Sequence, residues 1–249
     1  PGIALATLGG REVLRAYSFF SHPNSLAGFL GAGTIFSWPF LLKRLRRVPF
    51  LVFLALVIFA FLITFSLAPA FSLVMVAGIF LFFRKTLGTF TKLAKGFLFF
   101  FAVLSIALPL LASSYANFIK PFGESYSRRA DLAIAAGKMF SEKPLFGVGL
   151  NNFTIRLPEK SVGQPFSWWL QPVHNIFLLS LSETGLAGFL LLILVFYLGI
   201  SRSGLHRKEY LVAALLFVVL TGFFDHYWLT LQQNQLLLAT LLGLSFKNG

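Results

Sequence analysis

Long runs of uncharged apolar residues constrain this chain more than any other feature of its sequence. Residues 48–67 and 97–111 contain no Asp, Glu, Lys or Arg, and residues 176–200 contain only Glu183. A helix needs about 20 such residues to cross about 30 Å of hydrocarbon. Charged residues make up 12% of the chain, whereas soluble domains have about a quarter. We therefore predict an integral membrane protein rather than a soluble protein with a large core.

The spacing of the apolar runs predicts an all-α fold, a multi-pass helical transmembrane bundle that forms a single membrane domain over residues 1–249. About seven spans are expected from the runs. They are placed at residues 24–42, 48–66, 68–83, 97–113, 175–200, 211–224 and 230–246. The chain opens on Pro1 with neither a Met nor a basic n-region. No signal peptide is therefore predicted, and we expect the sequence to be the C-terminal part of a longer protein.

Basic residues cluster between the predicted spans and indicate the orientation of the chain, because Lys and Arg in short loops mark the cytoplasmic side. The clusters are Lys43, Arg44, Arg46 and Arg47; Arg84, Lys85, Lys92 and Lys95; Arg202, Arg207 and Lys208; and Lys247. Counting the spans places all of them on one side and residues 114–174 in a long extracytoplasmic loop. The net charge of +13 is thus interpreted as a topology signal, with membrane lipids as partners and no nucleic acid.

The same count gathers titratable and basic side chains on the outer side. They come from separate parts of the sequence: Arg15, His22, Arg128, Arg129, Arg156, His174, Asp225 and His226. His206 falls on the inner side, among basic loop residues. We expect an outer pocket that collects cations and imidazoles.

Residues 125–139 are predicted to form an amphipathic helix in the outer loop, because apolar residues recur there at helical spacing. Pro144 prevents its continuation, and the helix would lie along the membrane surface. Arg128 and Arg129 fall in its first turn, where an anionic partner is favoured by the free N–H groups. Contact of these arginines with lipid phosphates remains the alternative.

Farther along the loop, Gly147 and Gly149 favour a tight turn. No strand precedes them and a third glycine is absent, so a dinucleotide-binding loop is not predicted. Trp168 and Trp169 precede the next span and are interpreted as interfacial aromatic residues.

His174 opens a predicted span with Asn175 as its N-cap, and an imidazole at the top of a membrane helix is suited to proton transfer near neutral pH. Glu183 lies on the opposite face of that helix and is expected to face a neighbouring helix. No pair of histidines has the spacing of a helical metal site, and the chain has no cysteine. No metal site is therefore expected. With no dinucleotide-binding loop predicted either, no cofactor is expected.

Three segments in order resemble the O-antigen ligase and polymerase family. They are residues 15–28 (RAYSFFSHPNSLAG), residues 144–153 (PLFGVGLNNF), and His174-Asn175 followed by residues 182–188 (SETGLAG). The resemblance implies a glycan transferase of the bacterial cytoplasmic (inner) membrane that acts at the extracytoplasmic face. Its donor would be an undecaprenyl-pyrophosphate-linked glycan and its acceptor a glycan or glycolipid, without metal or nucleotide.

The resemblance also assigns roles to individual residues. The histidine of the family maps to His174 and its loop arginine to Arg129, with Arg128 as the adjacent alternative. We expect His174 to act as general base and Arg129 to stabilise the departing pyrophosphate. The remaining residues of the predicted site are assigned to substrate binding: Arg15, His22, Asn24, Arg128, Arg156 and Asn175.

One position departs from the family. A second arginine usually follows a serine at the outer end of an earlier span, but here Ser66 is followed by Leu67. Arg15 or Arg156 is a candidate replacement. Two other hypotheses remain open, a transporter or flippase of lipid-linked sugars and a non-catalytic binder of such glycans.

Overall fold

The structure is a computed structural model that describes residues 4–83, 85–114, 124–160 and 170–247. Arg84, Trp168 and Trp169, which carried predictions above, lie outside these residues. The described residues form two short strands and ten helices. Their bounds are β1 Leu5–Leu8, β2 Arg11–Leu14, α1 Pro23–Arg44, α2 Arg47–Leu62, α3 Leu67–Phe83, α4 Leu87–Ser114, α5 Glu124–Glu142, α6 Phe153–Lys160, α7 Ile176–Leu205, α8 Glu209–Phe224, α9 Tyr227–Thr230 and α10 Gln232–Phe246.

The fold is an all-α helical membrane bundle, as the apolar runs predict. Helices α1, α4 and α7 are long and apolar enough to cross a membrane, and α2, α3 and α8 are shorter apolar helices. None of the residues of α2 is buried, and its Leu56 and Phe59 are each 62% exposed. Such apolar surface suits hydrocarbon surroundings. The number of crossings stays a prediction.

Helix α4 differs from the predicted span at 97–113, because it begins ten residues earlier, at Leu87. Lys92 and Lys95, expected in a loop, are therefore helical. Lysine has good helix propensity, and its long side chain can bury its stem while its charge reaches the membrane surface. A span predicted from hydropathy alone begins only after the last charged residue, Lys95, whereas the helix begins earlier and includes both lysines.

A short β-hairpin precedes the first long helix and was not predicted. Strands β1 and β2 pair antiparallel with Leu5 opposite Leu14 and Leu8 opposite Arg11. Gly9 and Gly10 connect them with φ values of 56° and 78°. Two consecutive positive φ angles are what a tight hairpin turn of the favoured hand requires, and glycine adopts them without steric cost.

The chain divides into two compact units. The first comprises Pro1–Gly96, Leu198–Thr221 and Tyr227–Gly249, and the second comprises Phe97–Tyr197 and Gly222–His226. In the first unit, α1 packs against α2, α3 and α10. In the second unit, α5 packs against α6. The amphipathic helix predicted at 125–139 corresponds to α5, which begins at Glu124 and ends at Glu142, two residues before Pro144.

Helix α7, which opens beside His174, is broken within the second unit. Gly185 has φ 63° and ψ −164°, which no right-handed helix contains. The loop at 144–149 fills the break with its main chain. The N–H groups of Val148 and Gly149 donate to the carbonyls of Ser182 and Glu183 at 3.0 and 2.8 Å, and that of Leu186 donates to the Pro144 carbonyl at 2.8 Å.

This contact between the loop and α7 explains why residues 147 and 185 are glycines. A Cβ on Gly147 would overlap the main chain at Glu183, and a Cβ on Gly185 would overlap the main chain at Leu145. The two segments approach so closely that neither position accommodates a side chain. The main-chain groups released by the break are thereby hydrogen-bonded, as a low-dielectric setting demands.

Candidate functional site

His174 is positioned by the residue that follows it. Asn175 is 2% exposed, and its Oδ1 accepts from the N–H of Leu178 at 2.9 Å, the N-cap contact predicted from the sequence. Its Nδ2 also donates to Ser105 Oγ on α4 at 3.0 Å. Because the amide is engaged with two elements, Asn175 fixes the start of α7 and with it the backbone of His174.

Asp225 contacts the imidazole of His174. The distance from His174 Nδ1 to Asp225 Oδ1 is 3.3 Å, and the two side chains are 16% and 7% exposed. A carboxylate only accepts hydrogen bonds, so this contact requires the hydrogen of a neutral ring on Nδ1 and leaves Nε2 as the acceptor. Asp225 lies in the turn between α8 and α9, which is the predicted break between the last two spans.

His226 completes a cluster with these two residues. Its main-chain N–H donates to Asp225 Oδ1 at 2.8 Å, and its Nε2 lies 3.9 Å from the same oxygen. The imidazole rings of His174 and His226 are 5.3 Å apart, centroid to centroid. The buried carboxylate of Asp225 thus lies 3.3 Å and 3.9 Å from a ring nitrogen of each imidazole, and the two imidazoles come from distant parts of the chain.

Arg129 approaches the same turn from α5. Its Nη1 donates to the carbonyl of Phe224, the residue before Asp225, at 3.3 Å. Arg128 is half-buried beside it in sequence. Helix α5 begins at Glu124, so both arginines occupy its second turn rather than the first. Arg129 and His174 therefore both contact the turn at residues 224–226, a short segment of the second unit.

In the first unit, Arg15 is held by neutral oxygens. Its Nε donates to the Thr64 carbonyl at 2.7 Å, and its Nη2 donates to Asn24 Oδ1 at 2.8 Å and to Ser66 Oγ at 3.0 Å. The guanidinium thus lies beside Ser66, one residue before the leucine that replaces the expected arginine. Leu67 itself is 85% exposed.

His22 has a local role in the same segment. It is the N-cap of α1, and its Nδ1 accepts from the N–H of Asn24 at 3.1 Å. Asn24 Oδ1 in turn also accepts from Ser66 Oγ at 3.0 Å. The segment at 15–28 that resembles the family therefore forms a polar cluster with Ser66 at the start of α1, to which Arg15, His22 and Asn24 contribute.

Arg156 differs from the other predicted site residues. It lies on α6 and pairs with Glu159 at 3.2 Å, with side-chain exposures of 45% and 52%. Such an exposed ion pair one helical turn apart is typical of a solvated helix surface. Of the two candidate replacements for the missing arginine, Arg15 is the one that contacts Ser66.

Sequence reasoning missed the partner of His174. It placed Glu183 on the face of the helix opposite His174 and expected it to face a neighbouring helix, and Glu183 accepts from the N–H of Phe153, the first residue of α6, at 3.0 Å. The signal that pointed to Asp225 was the topology count, which placed it on the same side as His174.

Comparison with protein families matches residues 52–193 to the family described as O-Antigen ligase. The matched range covers more than half of the 249 residues and includes Arg129 and His174. Arg15 and the turn at 224–226 lie outside it. No curated protein and no solved structure matches the chain.

Proposed function

Because the chain belongs to the O-antigen ligase family, we propose that it transfers a saccharide from an undecaprenyl-pyrophosphate-linked donor to an acceptor hydroxyl at the outer face of the bacterial cytoplasmic membrane. Glycan transfer of the ligase or polymerase type follows from the family in general terms. The acceptor is a glycan or glycolipid, and the reaction needs no metal ion, nucleotide or other cofactor.

The observation that carries the proposal is the contact between His174 Nδ1 and Asp225 Oδ1 at 3.3 Å, beside a turn that Arg129 also contacts. A base oriented by a carboxylate, with a guanidinium on the same turn, has the parts that displacement at an anomeric carbon requires. Asn175 acts as a positioning residue.

In the proposed reaction, the acceptor hydroxyl attacks the anomeric carbon on the side opposite the pyrophosphate. His174 Nε2 takes the hydroxyl proton as the new carbon–oxygen bond forms. The bond from the anomeric carbon to the pyrophosphate oxygen breaks, and its electron pair leaves with the lipid pyrophosphate. The anomeric configuration is therefore inverted. A positioned general base of this kind contributes about 10²–10⁴-fold to the rate.

Cationic side chains stabilise the charge of the leaving group. A guanidinium has five N–H donors, and the contact with Phe224 uses one donor of Arg129. A guanidinium often makes two parallel, charge-assisted hydrogen bonds to one phosphate. We assign this role to Arg129, with Arg128 adjacent. The family has an arginine where this chain has Leu67. In the first unit, we assign Arg15 to donor binding in place of that arginine, with His22 and Asn24 as further substrate-binding residues.

A transporter of lipid-linked sugars is the second candidate function, because the break in α7 is a feature of transporter helices. In transporters the released main-chain groups face a substrate or an ion. Here the carbonyls of Ser182 and Glu183 accept from the loop at 144–149 instead. The break is therefore better explained as a structural junction than as a transport site.

Reconstitution distinguishes the hypotheses. Purified full-length protein in proteoliposomes is supplied with a lipid-pyrophosphate glycan and a hydroxyl acceptor. A new glycosidic product supports the transferase. Movement of the donor between leaflets without product contradicts it in favour of a transporter, and binding alone contradicts it in favour of a non-catalytic binder.

A further inference from the structure

Three metal-ligating side chains converge at one place in the second unit. One ligand atom each from His174, Asp225 and His226 can be chosen so that all three lie within 4.8 Å of one another. The side chain of His226 is 15% exposed, and those of His174 and Asp225 are 16% and 7% exposed. The sequence predicts no metal site, because no pair of histidines has the spacing of a helical metal site and the chain has no cysteine. The structure instead brings together His174 and Asp225, which are 51 residues apart.

We propose that these three side chains bind one divalent ion of the Zn²⁺ class, and that the bound ion inhibits glycan transfer by engaging His174. The first half concerns binding alone and depends on the geometry of the cluster. The second half rests on the proposed function, since it takes His174 as the general base.

The set of ligands selects the metal. Two imidazoles and one carboxylate, with a fourth position open, form a recurrent three-residue zinc site. Imidazole nitrogen favours Zn²⁺, Cu²⁺ and Ni²⁺, whereas Mg²⁺ and Ca²⁺ favour oxygen ligands alone. With metal–ligand bonds of about 2.0–2.2 Å, tetrahedral ligand atoms lie about 3.4 Å apart.

The distances in the cluster approach that requirement. Asp225 Oδ1 lies 3.3 Å from His174 Nδ1 and 3.9 Å from His226 Nε2. Ligand atoms of the three residues all lie within 4.8 Å of one another, so the longest separation has to shorten by no more than about 1.4 Å for one ion to contact all three. In the proposed site, rotation of the two imidazoles about their side-chain torsions brings their nitrogens to the ion.

One neighbouring charge opposes binding. Arg129 donates to the carbonyl of Phe224, beside Asp225, and its positive charge repels a second cation. The interaction between charges weakens with distance, whereas the three donor atoms bind the ion directly. In the proposed site, the bonds from three ligands to the ion therefore stabilise the complex more than the charge of Arg129 destabilises it. Because Arg129→Gln removes that charge, we expect this variant to bind zinc more tightly.

Binding at Nδ1 changes the chemistry of His174. A neutral imidazole carries one hydrogen, on either Nδ1 or Nε2. When the metal occupies Nδ1, the hydrogen resides on Nε2, which then donates and no longer accepts the proton of a hydroxyl. The ion also takes the carboxylate that orients the ring. Both effects remove the base.

Zinc binding to the purified full-length protein tests the first half. Chelator-treated protein competes with a fluorescent zinc indicator, and Mg²⁺ serves as the comparison ion. We expect one Zn²⁺ per chain and at least about tenfold weaker binding in Asp225→Asn and His226→Ala. His206→Ala, in the loop after α7, is the matched control and should bind as the wild type does. No zinc binding by the wild type, or unchanged binding by both variants, overturns the site.

X-ray absorption of the zinc-loaded wild type gives a result that does not depend on any variant. Two imidazole ligands are expected, and fewer than two overturn the assignment. The second half is tested by the ratio of transfer rates with and without zinc. This ratio should fall well below one for the wild type, recover with EDTA, and stay near one for His226→Ala.

The two proposals fail differently. Absence of zinc binding in a protein that transfers glycan contradicts the metal site alone. Zinc binding by a protein that makes no product after chelation contradicts the proposed function alone. Zinc binding at the cluster with unchanged transfer contradicts the inhibition.

Discussion

An imidazole can take a proton from a hydroxyl only through a ring nitrogen that carries no hydrogen. Asp225 keeps one ring nitrogen of His174 free of hydrogen. Its buried carboxylate accepts a hydrogen bond from Nδ1 at 3.3 Å, so the ring hydrogen resides on Nδ1 and Nε2 is the acceptor. The carboxylate also stabilises the imidazolium that forms after proton transfer. The proposed base is therefore a pair of residues rather than a lone histidine.

Replacing Asp225 by Asn tests this pair. The amide keeps the size of the side chain but removes its charge, and it can donate to Nδ1 and so favour the wrong tautomer. We expect the rate of glycan transfer to fall by at least about 100-fold, within the range for loss of general-base catalysis. Initial rates on purified protein check this, and a variant as active as the wild type would show that Asp225 does not act through His174.

Arg15 is the second position where a single residue carries a prediction. Lysine keeps the charge but cannot hold Thr64, Asn24 and Ser66 through one planar fork. For Arg15→Lys we expect the KM for the donor to rise at least about tenfold, equivalent to about 1.4 kcal/mol.

The same change at Arg156 should have a smaller effect, because its ion pair with Glu159 is exposed. Measuring the donor KM of both variants gives a direct comparison. A larger effect at Arg156 than at Arg15 would reverse the assignment of the donor-binding arginine.

At the scale of elements, the junction between α7 and the loop at 144–149 joins two of the segments that resemble the family. Glu183 contributes to it, because its Oε1 accepts from the N–H of Phe153 at the start of α6. This contact and the paired main chains at Gly147 and Gly185 tie α6 and α7 together. The segments are thus linked by structure and not only by order in the sequence.

Alanine at Gly185 is expected to destabilise this junction. A positive φ and overlap with the main chain at Leu145 together cost about 2 kcal/mol or more. The melting temperature should fall by several degrees, at about 2–4 °C per kcal/mol. Gly78→Ala in α3 is the control, since nothing lies within 4 Å of its Cβ position, and it should be neutral or stabilising. Equal melting of both variants would contradict the account of the junction.

Eight of the ten described helices could be predicted from the sequence, because each predicted span coincides with a helix and the amphipathic segment at 125–139 coincides with α5; the short helices α6 and α9 were not predicted. Hydropathy and helical period are local, and they determine the predicted elements. The break at Gly185 could not be predicted in this way, since Gly185 lies inside a predicted span whose residues 176–200 carry only one charge. The distortion depends on contact with a loop more than 30 residues away. The hairpin did have a local signal, because Gly9-Gly10 is a dipeptide favoured in two-residue hairpin turns. It was not predicted, since the interpretation of the sequence was based on its long apolar runs.

The candidate site was predictable only in part. Charge placement and the family resemblance predicted His174 and Arg129 as site residues, and both contact the turn at 224–226, while their roles stay predictions. The pairing of His174 with Asp225 joins residues 51 positions apart, and no periodic pattern encodes such a contact. The count of predicted spans placed Asp225 on the same side of the membrane as His174, but it did not single out Asp225 as the partner of His174.

At the scale of the whole molecule, the orientation in the membrane stays a prediction that labelling can test. The 249 residues contain no cysteine, so single cysteines report position. In a background without other cysteines, Ser141→Cys should react with an impermeant maleimide added outside the cell. Arg202→Cys should react only after the membrane is opened. The reverse pattern would place α5 on the cytoplasmic side.

The central claim is that His174 removes the proton of the acceptor, and the initial rate of glycan transfer by His174→Ala tests it most directly. His206→Ala is the matched control, because it removes the same ring from the loop between α7 and α8. We predict a loss of at least about 100-fold for His174→Ala and a wild-type rate for His206→Ala. Transfer by His174→Ala at the wild-type rate would contradict the account.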